Sequence, residues 1–125
     1  MKPENKFNVN YNYDFINDIL LFEVKHDFDY KETIEMDDGI LLDFDNGNIP
    51  VSLEILSASK KLNVPKESLR NLVYFNMNIV ITSKIISINA NICLDTRNNI
   101  NNQNIKHITS NNYNIPAMET ELVVV

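Results

Sequence analysis

Five residues in the first third of the chain have side chains that could do chemistry together: His26, Asp27 and Asp29, followed by Asp37 and Asp38. Carboxylate oxygens and an imidazole nitrogen are ligands for divalent ions, so the Asp-rich segment between His26 and Asp45 could serve a metal-dependent hydrolase. A calcium site of the helix-loop-helix kind needs a fixed Asp-rich loop around a central glycine, and this segment does not follow that order. The five residues are therefore candidate metal ligands only, and no metal is assigned. A thiol nucleophile would need Cys93 beside His26 or His107. Cys93 sits in an alternating, strand-like run and His107 in an asparagine-rich stretch, so no such pair is expected. Phosphate-cradling loops need several glycines to let the backbone approach the ligand. The chain has two, Gly39 and Gly47, and both suit turns. Asp14 and Asp18 flank a tight connection and are read as turn residues that bond nearby backbone. No catalytic residue and no cofactor are assigned.

The whole chain bounds what surrounds these residues. Its 125 residues fit one domain with a core of its own, and 44% apolar residues is ordinary for a globular protein. A single cysteine makes no internal disulfide, so no oxidising compartment is needed. Residues 1–8 offer no apolar run for a signal peptide, and no stretch approaches the roughly 20 apolar residues that cross a bilayer. A cytoplasmic location without a membrane is expected.

Net charge is −6, but residues 14–54 hold twelve Asp and Glu against Lys25 and Lys31, a local balance of −10. Nucleic acid is bound through neutralised phosphates, so this half is not expected to touch DNA or RNA. It suits a basic partner or divalent cations, or else forms a solvated face that keeps the protein soluble. Asparagine numbers 21, most densely between Asn98 and Asn114. No function is drawn from that bias.

Alternating apolar and polar residues mark half-buried strands in three places. Val9, Tyr11 and Tyr13, then Leu20, Phe22 and Val24, read as two strands joined around Asp14 to Asn17. Gly39 to Leu56 reads as a hairpin with a four-residue loop, Asp45 to Asn48, pairing Phe44 with Ile49, Leu42 with Val51 and Ile40 with Leu53. Pro50 must then sit at an edge, a bulge or a non-bonded position. The clearest alternation folds at Thr82 to Ile85 and pairs Val73 with Leu94, Phe75 with Ile92, Met77 with Ala90, Ile79 with Ile88 and Ile81 with Ile86. Ser57 to Asn71 carries the helical signal, with Ser57 as a cap and Pro65 at a first helical position. Leu62, Leu69 and Leu72 could face the sheet. Residues 98–114 read as a long, mobile loop, and 115–125 as a C-terminal strand.

The first half resembles a small prokaryotic family labelled "domain of unknown function 2283". The likeness rests on Tyr13-Asp14 followed by Asp18, then Ile19 to Phe22; on Glu35 with Asp38-Gly39-Ile40; on Leu42 to Asp45 with Gly47-Asn48-Ile49; and on Leu53 to Leu56 with Ala58-Ser59-Lys60. It covers about residues 8–62. The turn around Asn46, the segment Pro50 to Ser52 and Ser57, where Asp is usual, depart from the pattern. Some members resemble the antitoxin half of small two-gene systems, which implies a regulator by resemblance only.

These readings give one α+β domain over residues 1–125 with a mostly antiparallel sheet. Residues 8–62 form a family-like half, residues 63–97 a helix plus hairpin, and short helices lie around 57–71. The expected function is a non-enzymatic protein–protein interaction module whose acidic face or free sheet edge engages a protein partner or a second copy. A metal-dependent hydrolase and a small-ligand carrier with a cavity under the sheet are the alternatives.

Overall fold

The computed structural model describes residues 5–97 and 99–124. Asn98, which opens the asparagine-rich stretch, and Val125, which ends the apolar terminus, lie outside the described residues. Nine strands run along the described chain: β1 (Asn5–Asp14), β2 (Ile19–Val24), β3 (Tyr30–Asp37), β4 (Ile40–Asp45), β5 (Pro50–Leu56), β6 (Leu72–Ile81), β7 (Ile85–Asp95), β8 (Ile100–Ser110) and β9 (Met118–Val124). Their order across the sheet is β3-β4-β5-β2-β1-β9-β6-β7-β8. Every pair is antiparallel except β1 with β9, where Phe7 lies beside Leu122. The sheet curls until its two ends approach without pairing, so the fold is nearly a barrel. Phe22 of β2 and Phe75 of β6 stack across the interior, with centroids 3.7 Å apart and planes 6° from parallel.

Strands hold 64% of the described residues, and the one α-helix, α1, is Ala58–Leu62, followed by a 3₁₀ turn at Lys66–Arg70. The fold is therefore all-β in character, and the α+β expectation gave the 57–71 segment too much weight. Two residues in left-handed geometry bound α1, Ser57 (φ 50°) and Asn63 (φ 53°). After Asn63 the Val64 N–H closes back onto the Ser59 carbonyl at 3.0 Å, the wrap that ends helices. Pro65 is extended and only starts the 3₁₀ turn. Leu62 and Leu69 are buried beneath the segment.

The β6–β7 hairpin has Phe75 opposite Ile92, Met77 opposite Ala90, Ile79 opposite Ile88 and Ile81 opposite Ile86. These eight residues are all buried. At the open end Leu72, not Val73, faces Leu94, because a bulge intervenes, and Val73 is left 55% exposed. The β4–β5 hairpin differs further from expectation, with Leu42 opposite Leu53 and Ile40 opposite Ile55. The expected four-residue loop is one residue shorter: Asp45 ends β4, its N–H bonds the Ile49 carbonyl at 3.0 Å, and its Oδ1 accepts the Gly47 and Ile49 N–H groups around Asn46 to Asn48. The shorter loop sets Phe44 opposite Pro50 and moves the register by one, and a bulge that absorbs Val51 moves it by one more.

The largest correction concerns residues 98–114. Ile100–Ser110 is a strand paired with β7 along its whole length, Asp95 opposite Ile100 through Ile85 opposite Ser110. Its inward positions are Asn101, Gln103, Ile105, His107 and Thr109, only one of them apolar, so hydrophobic periodicity has nothing to register. Backbone pairing and side-chain amides order it instead.

Candidate functional site

The acidic first half is organised by carboxylates that bond across strands. Asp14 accepts from the Asn17 N–H at 3.0 Å and the Asn17 amide at 2.8 Å, closing the β1–β2 turn. Asp18, with φ of 58°, is buried and reaches much further along the chain. Its Oδ1 accepts the Tyr13 hydroxyl at 2.7 Å and the Ser59 N–H at 3.0 Å, its Oδ2 accepts the Ser59 hydroxyl at 2.7 Å, and its carbonyl accepts the Ala58 N–H at 3.0 Å. Asp18 is thus the N-terminal cap of α1, supplied from 41 residues away, and Ser57 makes no side-chain cap bond. Burial acts to raise the Asp18 pKa, but the bonds from Ser59 and Tyr13 outweigh it and hold the carboxyl below its ordinary range. Tyr13 is raised in turn, by burial and by its bond to Asp18.

On the outer face of this half, Asp43 accepts from the Thr33 hydroxyl and from the Ser52 hydroxyl at 2.6 Å. The register sets Glu35 opposite Leu41, which in turn faces Glu54, so carboxylates line this face as the local charge implies. Glu54 has its pKa raised, first by burial and then by the negative charge of Asp43. Gly39 turns β3 into β4 at φ +72°, and a Cβ there would stand 2.6 Å from Lys61 Nζ.

The five candidate metal ligands do not converge. His26 and Asp27 lie in the connection after β2, where the His26 ring meets Phe7 edge-on at 5.3 Å, and the Asp29 carbonyl accepts the Asn46 N–H at 2.9 Å. Asp37 and Asp38 lie at the far end of β3, whose eight residues span roughly 25 Å at the usual strand rise. Among the described residues, no group of three or more His, Cys, Asp or Glu side chains could hold a metal ion. Cys93 is half-buried on the outer face of β7, while His107 faces inward from β8, so they form no nucleophile pair. The interior that a ligand carrier would need is filled by Phe22, Phe44, Phe75 and the aliphatic residues around them.

What the fold does bring together is the seam between its two ends. His107 Nδ1 of β8 and Asp37 Oδ2 of β3 stand 3.8 Å apart across it. Beside them opens a groove of about 500 Å³ lined by Asp37, Asp38, Ile40, Lys61 and residues 104–107 of β8. Its charges balance, Asp37 and Asp38 against Lys61 and Lys106.

The two edges bounding this seam are unlike. β3 carries Lys31, Glu32, Glu35 and Asp37 and is broken by two bulges, features that blunt an edge. β8 is regular over eleven residues, contains no proline and has one charged side chain besides His107. The Asn111 N–H bonds the Lys84 carbonyl at 2.9 Å, and in an antiparallel ladder the bonded positions alternate from there. Odd-numbered residues of β8 therefore bond β7, while Ile100, Asn102, Asn104, Lys106, Ile108 and Ser110 turn their N–H and C=O groups outward. Ile100 and Ile108 flank this row, 59% and 66% exposed. A chain of amides braces the strand from behind: Asn76 donates to Glu121 at 2.9 Å, Asn91 to Asn76 at 3.0 Å, and Asn104 to Asn91 at 2.9 Å and Asn89 at 2.8 Å. Sequence reasoning missed this edge, although its two isoleucines eight residues apart are visible.

The chain is similar to two archaeal proteins along most of its length. One, from Methanosarcina mazei, carries the name "Putative hypoxanthine phosphoribosyltransferase" and is 32% identical over 106 residues, 85% of each chain. The other, an uncharacterized protein of Methanocaldococcus jannaschii, is 41% identical over 87 residues, 69% of this chain and 73% of the relative. No solved structure matches. Residues 10–59, which contain the Asp18 cap, the Gly39 turn and the Asp43 cluster, match the family described as "Protein of unknown function (DUF2283)". The chain belongs to that family.

Proposed function

We propose that the protein is a binding module that engages another protein through the open edge of its sheet at β8. The observation that carries this is the outward row of backbone N–H and C=O groups from Ile100 to Ser110, regular and flanked by two exposed isoleucines. Such an edge recognises an extended strand by main-chain bonds, with alternate side chains giving selectivity. The acidic first half, whose Asp37 and Asp38 border the seam beside that edge, argues for a protein partner rather than a nucleic acid. A cytoplasmic setting and a regulator's role, the latter by resemblance to antitoxin-like family members, accord with the same reading.

The name of the M. mazei relative raises ribosyl-phosphate chemistry as a rival. A diphosphate is held best by glycine-rich loops and helix N-termini, whereas here Gly39 and Gly47 serve hairpin turns and α1 has five residues. The edge is the better supported site.

The test is capture from source-cell extract with cross-links mapped onto β8, comparing the native chain with Asn104→Pro. Proline at an even position deletes an outward N–H and spares the β7 ladder. A β8-linked protein held by the native chain and lost from the variant is expected, and equal capture by both would refute the reading.

A further inference from the structure

The sequence of β8 has the symmetry needed to pair with itself. We infer that two copies of this chain join β8 to β8, antiparallel, about a two-fold axis at Asn104; this rests on the edge reading above and names its occupant. Outward groups sit only on even-numbered residues, so any bonded register brings even to even. With Asn104 opposite its own copy, Ile100 lies opposite Ile108 of the second copy, and Ile108 opposite Ile100. Both isoleucines, 59% and 66% exposed in one chain, then cover each other at the two ends of the contact. Asn102 falls opposite Lys106, so no like charges meet. Sliding the register by one bonded pair in either direction sets Ile100 against Lys106 or Ser110 and leaves the isoleucines unmatched.

The amide chain adds a second observation. It runs from Glu121 through Asn76 and Asn91 and stops at Asn104, on the outermost strand. In the paired state two such chains meet at the axis, and stacked asparagine amides are favourable neighbours on adjacent strands. The His107 side chain meets Asp37 from the inner face of β8, and because β3 packs against β8 at this end, the paired state requires the seam to open at this contact. The contact is isologous, with one patch serving both copies, as a closed two-fold pair requires.

Analytical ultracentrifugation of the full chain across a range of concentrations tests this. The native chain is expected to sediment at twice its 14.5 kDa, and Asn104→Pro at the single-chain mass with a folded circular-dichroism spectrum. Should proline unfold the chain, a charge pair decides independently. Ile100→Lys with Ile108→Lys sets like charges opposite each other and is expected to give monomer. Ile100→Glu with Ile108→Lys sets opposite charges together and is expected to stay dimeric. A native chain that is monomeric at every concentration overturns self-pairing, as does a dimer that survives the Lys/Lys change. If that monomeric chain still captures a protein in an Asn104-dependent way, self-pairing alone is overturned and the edge reading stands. Without dimer or capture, both fall.

Discussion

The two halves of the sheet are held by different polar chemistry. In residues 5–62 the cross-links are carboxylates: Asp14 closes one turn, Asp45 another, Asp43 ties β4 to β3 and β5, and Asp18 ties the β1–β2 connection to α1. In residues 63–124 the equivalent places are taken by amides, with Asn76, Asn91 and Asn104 across β6 to β8 and Asn111 at the turn after β8. A carboxylate accepts strongly but loses that ability when protonated, whereas an amide both donates and accepts and does not titrate in the working range. The cross-links of the first half are therefore groups that titrate, those of the second, apart from the Glu121 carboxylate that accepts from Asn76, are groups that do not, and one apolar core runs under both.

The largest effect expected is one that ignores this distinction. Ile88→Ala empties a fully enclosed site beneath β7 and should cost about 2–5 kcal/mol in denaturant unfolding at any pH where the protein folds. A negligible loss would mean that the core does not continue under the amide half. Next comes Asp18→Asn. It removes charge-assisted bonds to Ser59 and Tyr13 and weakens the cap of α1, an expected loss of about 1–3 kcal/mol at neutral pH. Because the folded-state pKa of Asp18 is lowered, its stabilisation is present above the unfolded carboxylate range and lost as pH falls through the folded value. Melting curves of the native and Asp18→Asn chains should therefore converge on acidification.

The amide counterpart should behave otherwise. Asn111 donates to the Thr82 carbonyl at 2.9 Å and the Ile115 carbonyl at 2.8 Å, and accepts the Ile115 N–H at 3.2 Å. Asn111→Ala is expected to cost about 1 kcal/mol, with a gap to the native chain that stays constant from acid to neutral pH. A gap that shrinks with acid would place a titrating group in that turn and break the comparison.

The same contrast explains what could be seen in the sequence. Where apolar residues alternate, as from Phe75 to Ile92, strand, register and buried face are all legible, since one face must be covered. Cross-links that join distant segments were not. The helix cap was sought beside α1, at Ser57, while the group that caps it stands 41 residues earlier as part of a turn. The β4–β5 register lies two residues from the expected one because nothing in the alternation announces either the three-residue loop or the bulge at Val51. β8 reads as a loop in the sequence because its order comes from backbone bonds and amides, neither of which has a hydrophobic period. The candidate edge is hidden for the same reason, and the candidate metal ligands stand at the two ends of β3, a strand too long to gather them.

The smallest expected effect carries the opposite sign from Asp18, and so sharpens the comparison within the carboxylate half. Glu54 is a carboxylate whose pKa the fold raises, by burial first and by the nearby Asp43 second. The folded chain therefore holds the Glu54 proton more tightly than the unfolded chain does. Its favourable contribution is complete below the unfolded carboxylate range and disappears as pH rises through the folded value, which leaves ionised Glu54 a small liability at neutral pH. Glu54→Gln removes that charge while keeping the shape, so the variant should melt at the native temperature or slightly above it at neutral pH, within about 0.5 kcal/mol. On acidification this advantage should fade as the native Glu54 takes up its proton. The two variants then approach the native melting curve from opposite sides as pH falls, Asp18→Asn from below and Glu54→Gln from above. A Glu54→Gln chain less stable than the native one at neutral pH would mean that the carboxylate accepts a bond on the outer face, and that Glu54 belongs with the cross-links rather than among the charges they tolerate.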